Sequence, residues 1–131
     1  MTSRQPQEKQ VIDRWDRVFT SLSAEPRRQI IVTLNDLPAD NRVLLPEAAL
    51  SPTMQPDREQ FVLELCHHHL PRLEDHGFVE WTKEPFRAAR GPRFEEAAVV
   101  IELLQANATG IPDSLVHGCQ RLEAERSGPS E

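Results

Sequence analysis

Apolar residues recur at helical spacing in several stretches that proline and glycine keep apart. Val11, Ile12, Trp15, Val18, Phe19 and Leu22 fall on one stripe and predict a first helix over 9–22. Residues 23–26 interrupt it, and Pro26 suits the first turn of a second helix whose apolar positions are Ile30, Ile31, Leu34 and Leu37, with an end near 35–38. The short run 42–45 is β-branched and leucine-rich and is stopped by Pro46, which reads as a brief edge strand. With two prolines, 47–56 has room for a helical turn at most.

Asp57 followed by Gln60 is a capping-box signature, and Gly77 supplies a left-handed carboxyl-terminal cap, so 57–77 should be mostly helical. Pro71 has no N–H for the carbonyl of His67 and disfavours helical geometry at Leu70, so a kink or break is expected near His69. Residues 78–81 read as a strand, 82–85 as a turn and 86–90 as a returning strand, and Gly91-Pro92 ends the hairpin. Phe94, Ala97, Ala98, Ile101 and Leu104 then form the core stripe of another helix, while Val99, Val100 and Leu103 fill a second side that needs a further partner. These elements make a fold of the α+β class, mainly α. Residues 1–8 are expected to be disordered, 9–109 to form one domain, and 110–131 to be a tail carrying at most a short helix with Leu115, Val116, Cys119 and Leu122 on one side.

Composition adds bounds. A chain of 131 residues suits one hydrophobic core. Its apolar runs are too short to span a bilayer, and 1–10 shows no apolar segment behind a basic start, so a cytoplasmic protein without a membrane partner is expected. Cys66 and Cys119 are too few and too far apart for a disulfide framework or a paired-cysteine zinc site. The net charge is −6, which weighs against indiscriminate nucleic-acid binding. Lys9 and Lys83 are the only lysines, so arginine carries nearly all the positive charge. One stretch concentrates it: between Trp81 and Phe94, Lys83, Arg87, Arg90 and Arg93 face only Glu84.

Three segments carry a resemblance: CHHHLPRLEDHGFVEW at 66–81, GPRFEE at 91–96 and EPRRQIIVTL at 25–34. Together they resemble the haloarchaeal relatives of the ArsR-type winged helix-turn-helix regulators, and the likeness covers roughly 10–118. It implies a winged helix-turn-helix with a two- to three-stranded wing sheet, flanked by amino- and carboxyl-terminal helices. It also implies a cytoplasmic homodimer that sets two recognition helices in successive major grooves of double-stranded DNA and each wing on the flanking backbone, regulating transcription without chemistry. On that reading His67, His68 and Arg72 are the candidates on the recognition helix, and Lys83, Arg87 and Arg90 those on the wing, where arginine's planar fork suits phosphate oxygens.

The sequence departs from a standard DNA reader at two places. The supporting helix shrinks to about 45–51, and Leu63, Glu64 and Leu65 stand where polar readers are common. A carboxylate in a groove repels phosphate unless it accepts from a cytosine amino group. The alternative function is therefore a winged-helix module for protein interaction or dimerisation that has lost DNA binding. No metal site is expected: Cys66 and His69 can share a helix face, but two ligands do not complete a tetrahedral zinc site. Cys66 and His69 should pack on the core with His67 and His68 exposed, and His76 beside Gly77 suits a helix carboxyl terminus. No nucleophile elbow or glycine-rich phosphate loop is present, so neither a catalytic residue nor a cofactor is expected. Trp15 and Trp81 read as core anchors, and dimerisation is expected through the first helix and that over 94–107.

Overall fold

The computed structural model describes residues 6–51, 56–117 and 119–127. It is mainly helical with one small antiparallel sheet. Among the described residues no helix is long and apolar enough to cross a membrane. The chain divides into two compact units, 1–97 and 98–131.

The first unit opens with helix α1 (Pro6–Ser21), which starts ahead of residue 9, and α2 (Glu25–Asn35). Strand β1 (Arg42–Leu44) follows, then a single 3-10 turn at Glu47–Ala49. The long helical segment comes in three parts: α3 (Arg58–Glu64), a π-helical turn (Leu65–His69) and α4 (Leu70–Asp75). Strands β2 (Val79–Thr82) and β3 (Arg87–Arg90) form the hairpin, and β3 pairs on its other side with β1, giving the order β1-β3-β2. As expected, β1 is an edge strand.

The alternation of the strands separates two faces of this sheet. Val43, Val79 and Ala88 are buried on the inner face with half-buried Trp81 and Arg90, while Arg42, Leu44, Glu80, Thr82 and Arg87 stand on the outer face. Ile30, Ile31, Leu34, Leu65, Leu70, Leu73 and Phe78 supply fully buried side chains of this unit's core.

Two glycines allow the hairpin to close on the helix before it. Gly77 has φ +81°, which relieves the chain of a Cβ in the left-handed region, and the Phe78 N–H returns to the Leu73 carbonyl at 3.0 Å. At Gly91 a Cβ would stand 2.5 Å from the Gly77 carbonyl oxygen and 2.8 Å from the Val79 nitrogen. Here the Gly91 N–H donates to the Phe78 carbonyl and the Arg93 N–H to the Gly77 carbonyl.

Asp57 caps α3 by accepting from the Glu59 N–H. Among the described residues the reciprocal half of the expected capping box is not seen, and the Gln60 amide donates to Glu64. At Pro71 the helix widens into the π-turn rather than breaking, with the Leu70 N–H reaching back to the Leu65 carbonyl. A wider turn accommodates the proline ring, which in a regular α-helix meets the carbonyl four residues earlier.

The stripe on α1 is a correction to the sequence reading. Val18 and Ser21 are buried, but Trp15 is 51% exposed and stacks on Phe19, which is itself 60% exposed, with ring centroids 5.6 Å apart. Trp15 is therefore no core anchor. The docked side of α1 runs along Val18, Ser21 and half-buried Arg17, and successive residues turn by roughly 100°, which leaves the Val11, Trp15 and Phe19 row off that side. Trp81 is half-buried and meets Phe86 edge to face.

Helix α5 (Phe94–Ala106) begins in the first unit and continues into the second. Phe94, Ala97, Ala98 and Ile101 are buried at the expected spacing, but Leu104, expected on the same stripe, is exposed together with Val99 and Leu103. The second unit continues with a 3-10 turn at Ala108–Gly110, α6 (Asp113–Val116) and α7 (Gln120–Ser127). His117 takes an extended conformation, so the single amphipathic helix expected after Asp113 is two short ones; Val116 is buried while Leu115 and Cys119 are exposed. Arg126 holds this unit together by donating to the Asp113 carboxylate and to the carbonyl of Ile111.

Candidate nucleic-acid interface

The carbonyls at the carboxyl-terminal end of a helix lack intrahelical donors, and cations there are favourable. Neither α1 nor α2 has a basic residue in its last turn. Arginines from other elements take that place. Arg27 is 4% exposed and donates from Nε to the Ser21 carbonyl at 2.9 Å, and from Nη2 to the Thr20 carbonyl and the Ser23 hydroxyl. Arg28 donates to the Leu22 carbonyl and pairs with Glu25. At the end of α2, Arg90 donates to the carbonyls of Leu34 and Leu37 at 3.2 and 2.8 Å.

Arg27 also fixes the long helical segment. Its Nη1 donates to Nδ1 of His69 at 2.8 Å, so that nitrogen is unprotonated and the imidazole is the neutral Nε2–H tautomer. Burial first, and then the Arg27 guanidinium, push the His69 pKa down from 6.5 to about 4. Two turns on, His76 Nδ1 lies 2.8 Å from the Ser21 hydroxyl, and burial followed by the charges of Arg72 and Arg17 lowers its pKa also. The Arg27 pKa is itself held below the usual arginine range, by burial and then by Arg72 and Arg28.

The six candidate contact residues fall into four settings, and of the six Arg90 alone is on the inner sheet face. His67 and His68 are exposed on the π-turn, and the His68 ring meets His69 edge to face. Arg72 is half-buried on α4, with no hydrogen bond or ion pair to any described residue. Lys83 is exposed in the hairpin turn, and Arg87 stands half-buried on the outer sheet face beside Thr82 and Leu44, its Nε buried without a partner.

Arg90 does not join these outward cations. It lies on the inner face, caps α2, pairs with Glu95 at 3.2 Å and stacks over the Phe94 ring at 4.6 Å, which leaves 17% of its side chain exposed. The hairpin's basic residues are thus divided between faces by strand alternation, which a count along the sequence does not reveal.

The same division changes the charge balance of the surface. On the long helix Glu59, Glu64, Glu74 and Asp75 are exposed against Arg58, which pairs with Glu47, and the half-buried Arg72. The outer sheet face and turn carry Arg42, Arg87 and Lys83 against Glu80 and Glu84. Arg42 lies diagonally across from Arg87, since Arg42 pairs with Ala89 and Leu44 with Arg87. Cys66 is half-buried and His69 buried; among the described residues no three His, Cys, Asp or Glu side chains come together as a metal-binding group.

Arg27, the central residue of this region, is not among the six residues expected from the sequence. The signal was available: Pro26-Arg27-Arg28 puts two cations in the first turn of a helix, where the backbone dipole disfavours them. Cations in that position fit when the preceding helix presents its carbonyl end to them. No protein-family model, curated protein or solved structure matches the chain.

Proposed function

We propose that the chain is a winged helix-turn-helix DNA-binding regulator related to the ArsR-type proteins, non-catalytic, cytoplasmic and dimeric. The observation that carries this reading is the order of elements around the sheet: β1 follows α2, the long helical segment precedes the hairpin, and the strands lie β1-β3-β2. In a winged helix that order sets the hairpin beside the carboxyl-terminal end of the recognition helix, where both can meet one duplex. His67, His68 and Arg72 remain candidates for donors to phosphates or bases, and Lys83 and Arg87 for the wing. Arg42, on the same face as Arg87, joins them. The exposed row of Val11, Trp15 and Phe19 supports association through α1.

The test is duplex binding measured across a salt series with Arg87→Ala and Lys83→Ala. Lost phosphate contacts lower the slope of log affinity against log salt by about one per residue. Unchanged slopes in both remove the wing from the interface.

The internal engagement of Arg90 and the exposed carboxylates of the long helix favour a second reading, a winged-helix module for protein interaction or dimerisation. Self-association without salt-dependent duplex binding decides for it.

A further inference from the structure

Five cationic or imidazole groups, Arg17, Arg27, His69, Arg72 and His76, meet where the elbow between α1 and α2 receives the long helix. His69, Arg72 and His76 are spaced three and four residues apart and so share one face of α4 and the turn before it. His69 and His76 both dock, on Arg27 and on the Ser21 hydroxyl, which sets Arg72 between two anchored neighbours over the same seam. On the other side Arg17 stands one turn before Ser21, half-buried on the docked side of α1, and its charge reaches His76.

The charges in this seam are not balanced by the fold. Arg27 is buried with only carbonyls, a hydroxyl and an imidazole as partners. Neither Arg17 nor Arg72 makes a side-chain hydrogen bond or ion pair among the described residues. The acids whose charge reaches the two histidines are Glu64 for His69 and Asp75 for His76, and neither forms an ion pair with these arginines. In a chain with 21 acidic residues, arginines gathered without an ion-paired carboxylate among the described residues are a cost that a bound anion would reduce.

We propose that the seam between α1 and α4 is a binding site for a phosphate group, with Arg17 and Arg72 as its two cationic arms, His76 as a donor and the buried Arg27 as a fixed charge beneath. The guanidinium fork suits tetrahedral oxyanions. The site stands apart from the proposed wing contacts, and the inference does not rest on DNA binding.

The test titrates inorganic phosphate into the full chain, with chloride at matched ionic strength as reference, and follows the imidazole Cε1–H resonance of His76 by NMR, assigned through its loss in His76→Gln. The expected result is a saturable shift, a rise of about one unit in the His76 pKa when phosphate is bound, and at least about tenfold weaker binding in Arg17→Gln and in Arg72→Gln, with Arg87→Gln unchanged. Arg17 is half-buried on α1 and makes no side-chain hydrogen bond or ion pair with a described residue, so its variant reads the site should Arg72→Gln disturb folding. No saturation beyond the chloride reference, or saturation that neither variant weakens, overturns the proposal. A short duplex distinguishes the source of the phosphate: a duplex that moves the His76 resonance supplies it from its backbone, and one that binds without moving it leaves the site to a free phosphate group. Saturable phosphate binding with no duplex binding upholds this site and refutes the regulator reading.

Discussion

Acidification should destabilise this protein before its carboxylates titrate, and His69 sets the size of the effect. Its pKa in the folded chain is about 4 against 6.5 for an unconstrained imidazole. The unfolded chain therefore takes up the proton first, so stability is complete above pH 6.5 and falls as the pH drops below it, levelling off beneath the folded value. At about 1.4 kcal/mol per unit, full titration is worth about 3.4 kcal/mol, of which about 2 kcal/mol is lost between about pH 7.5 and about pH 5. His76, whose pKa is also lowered, adds in the same direction. Structurally, a proton on Nδ1 turns an acceptor into a donor facing the Arg27 guanidinium. Urea unfolding across that window measures the loss. Gln in place of His69 keeps an acceptor without a titrating group, so His69→Gln should flatten the dependence, leaving only the His76 share. A variant with the wild-type slope, or a wild type with no slope, would refute the coupling of Arg27 to His69.

Three further outcomes follow from the geometry. Arg90→Ala should lower stability by about 2 kcal/mol, since it leaves the Leu34 and Leu37 carbonyls without their donor, while Arg87→Ala should change it by less than about 0.5 kcal/mol; chemical denaturation of the pair compares them. Gly91→Ala puts a methyl group against backbone at 2.5 Å and should cost about 3 kcal/mol or prevent folding, read as a fall in melting temperature, whereas Gly110→Ala, with nothing within 4 Å of the new atom, should be close to neutral. Trp15→Glu should leave the melting temperature of dilute protein nearly unchanged and abolish self-association in sedimentation velocity; a large stability loss at low concentration would show that Trp15 packs within its own chain.

Much of the fold was legible because it rests on local rules. Pro26, Pro46, Gly77 and Gly91 fixed the ends of elements through backbone sterics, and the strands 42–44, 79–82 and 87–90 came within a residue or two of their expected bounds. What failed was the assignment of faces. The spacing of Val11, Trp15 and Phe19 reported an apolar row correctly but could not say that α1 docks through Val18 and Ser21 instead, because the choice depends on the hydroxyl–imidazole contact with a residue 55 positions away. The same limit applied at the candidate site. Lys83, Arg87 and Arg90 look equivalent along the chain, yet odd and even positions of β3 face opposite ways, and the carbonyl end of α2 recruits Arg90. His69 was expected on the core from helical phase alone, whereas its partner Arg27 needed the docking of two sequence-distant elements.

The π-turn at Leu65–His69 makes the aim of α3 adjustable in evolution by a single codon. Removing one residue there would restore an ordinary helical pitch and rotate everything upstream by roughly 100° relative to the anchored α4. Glu64 and Leu63 would then sweep off their present bearing while His69 and His76 kept theirs. A homologous chain shorter by one residue at this turn would thus offer a different set of side chains to whatever its partner is, on a scaffold otherwise unaltered.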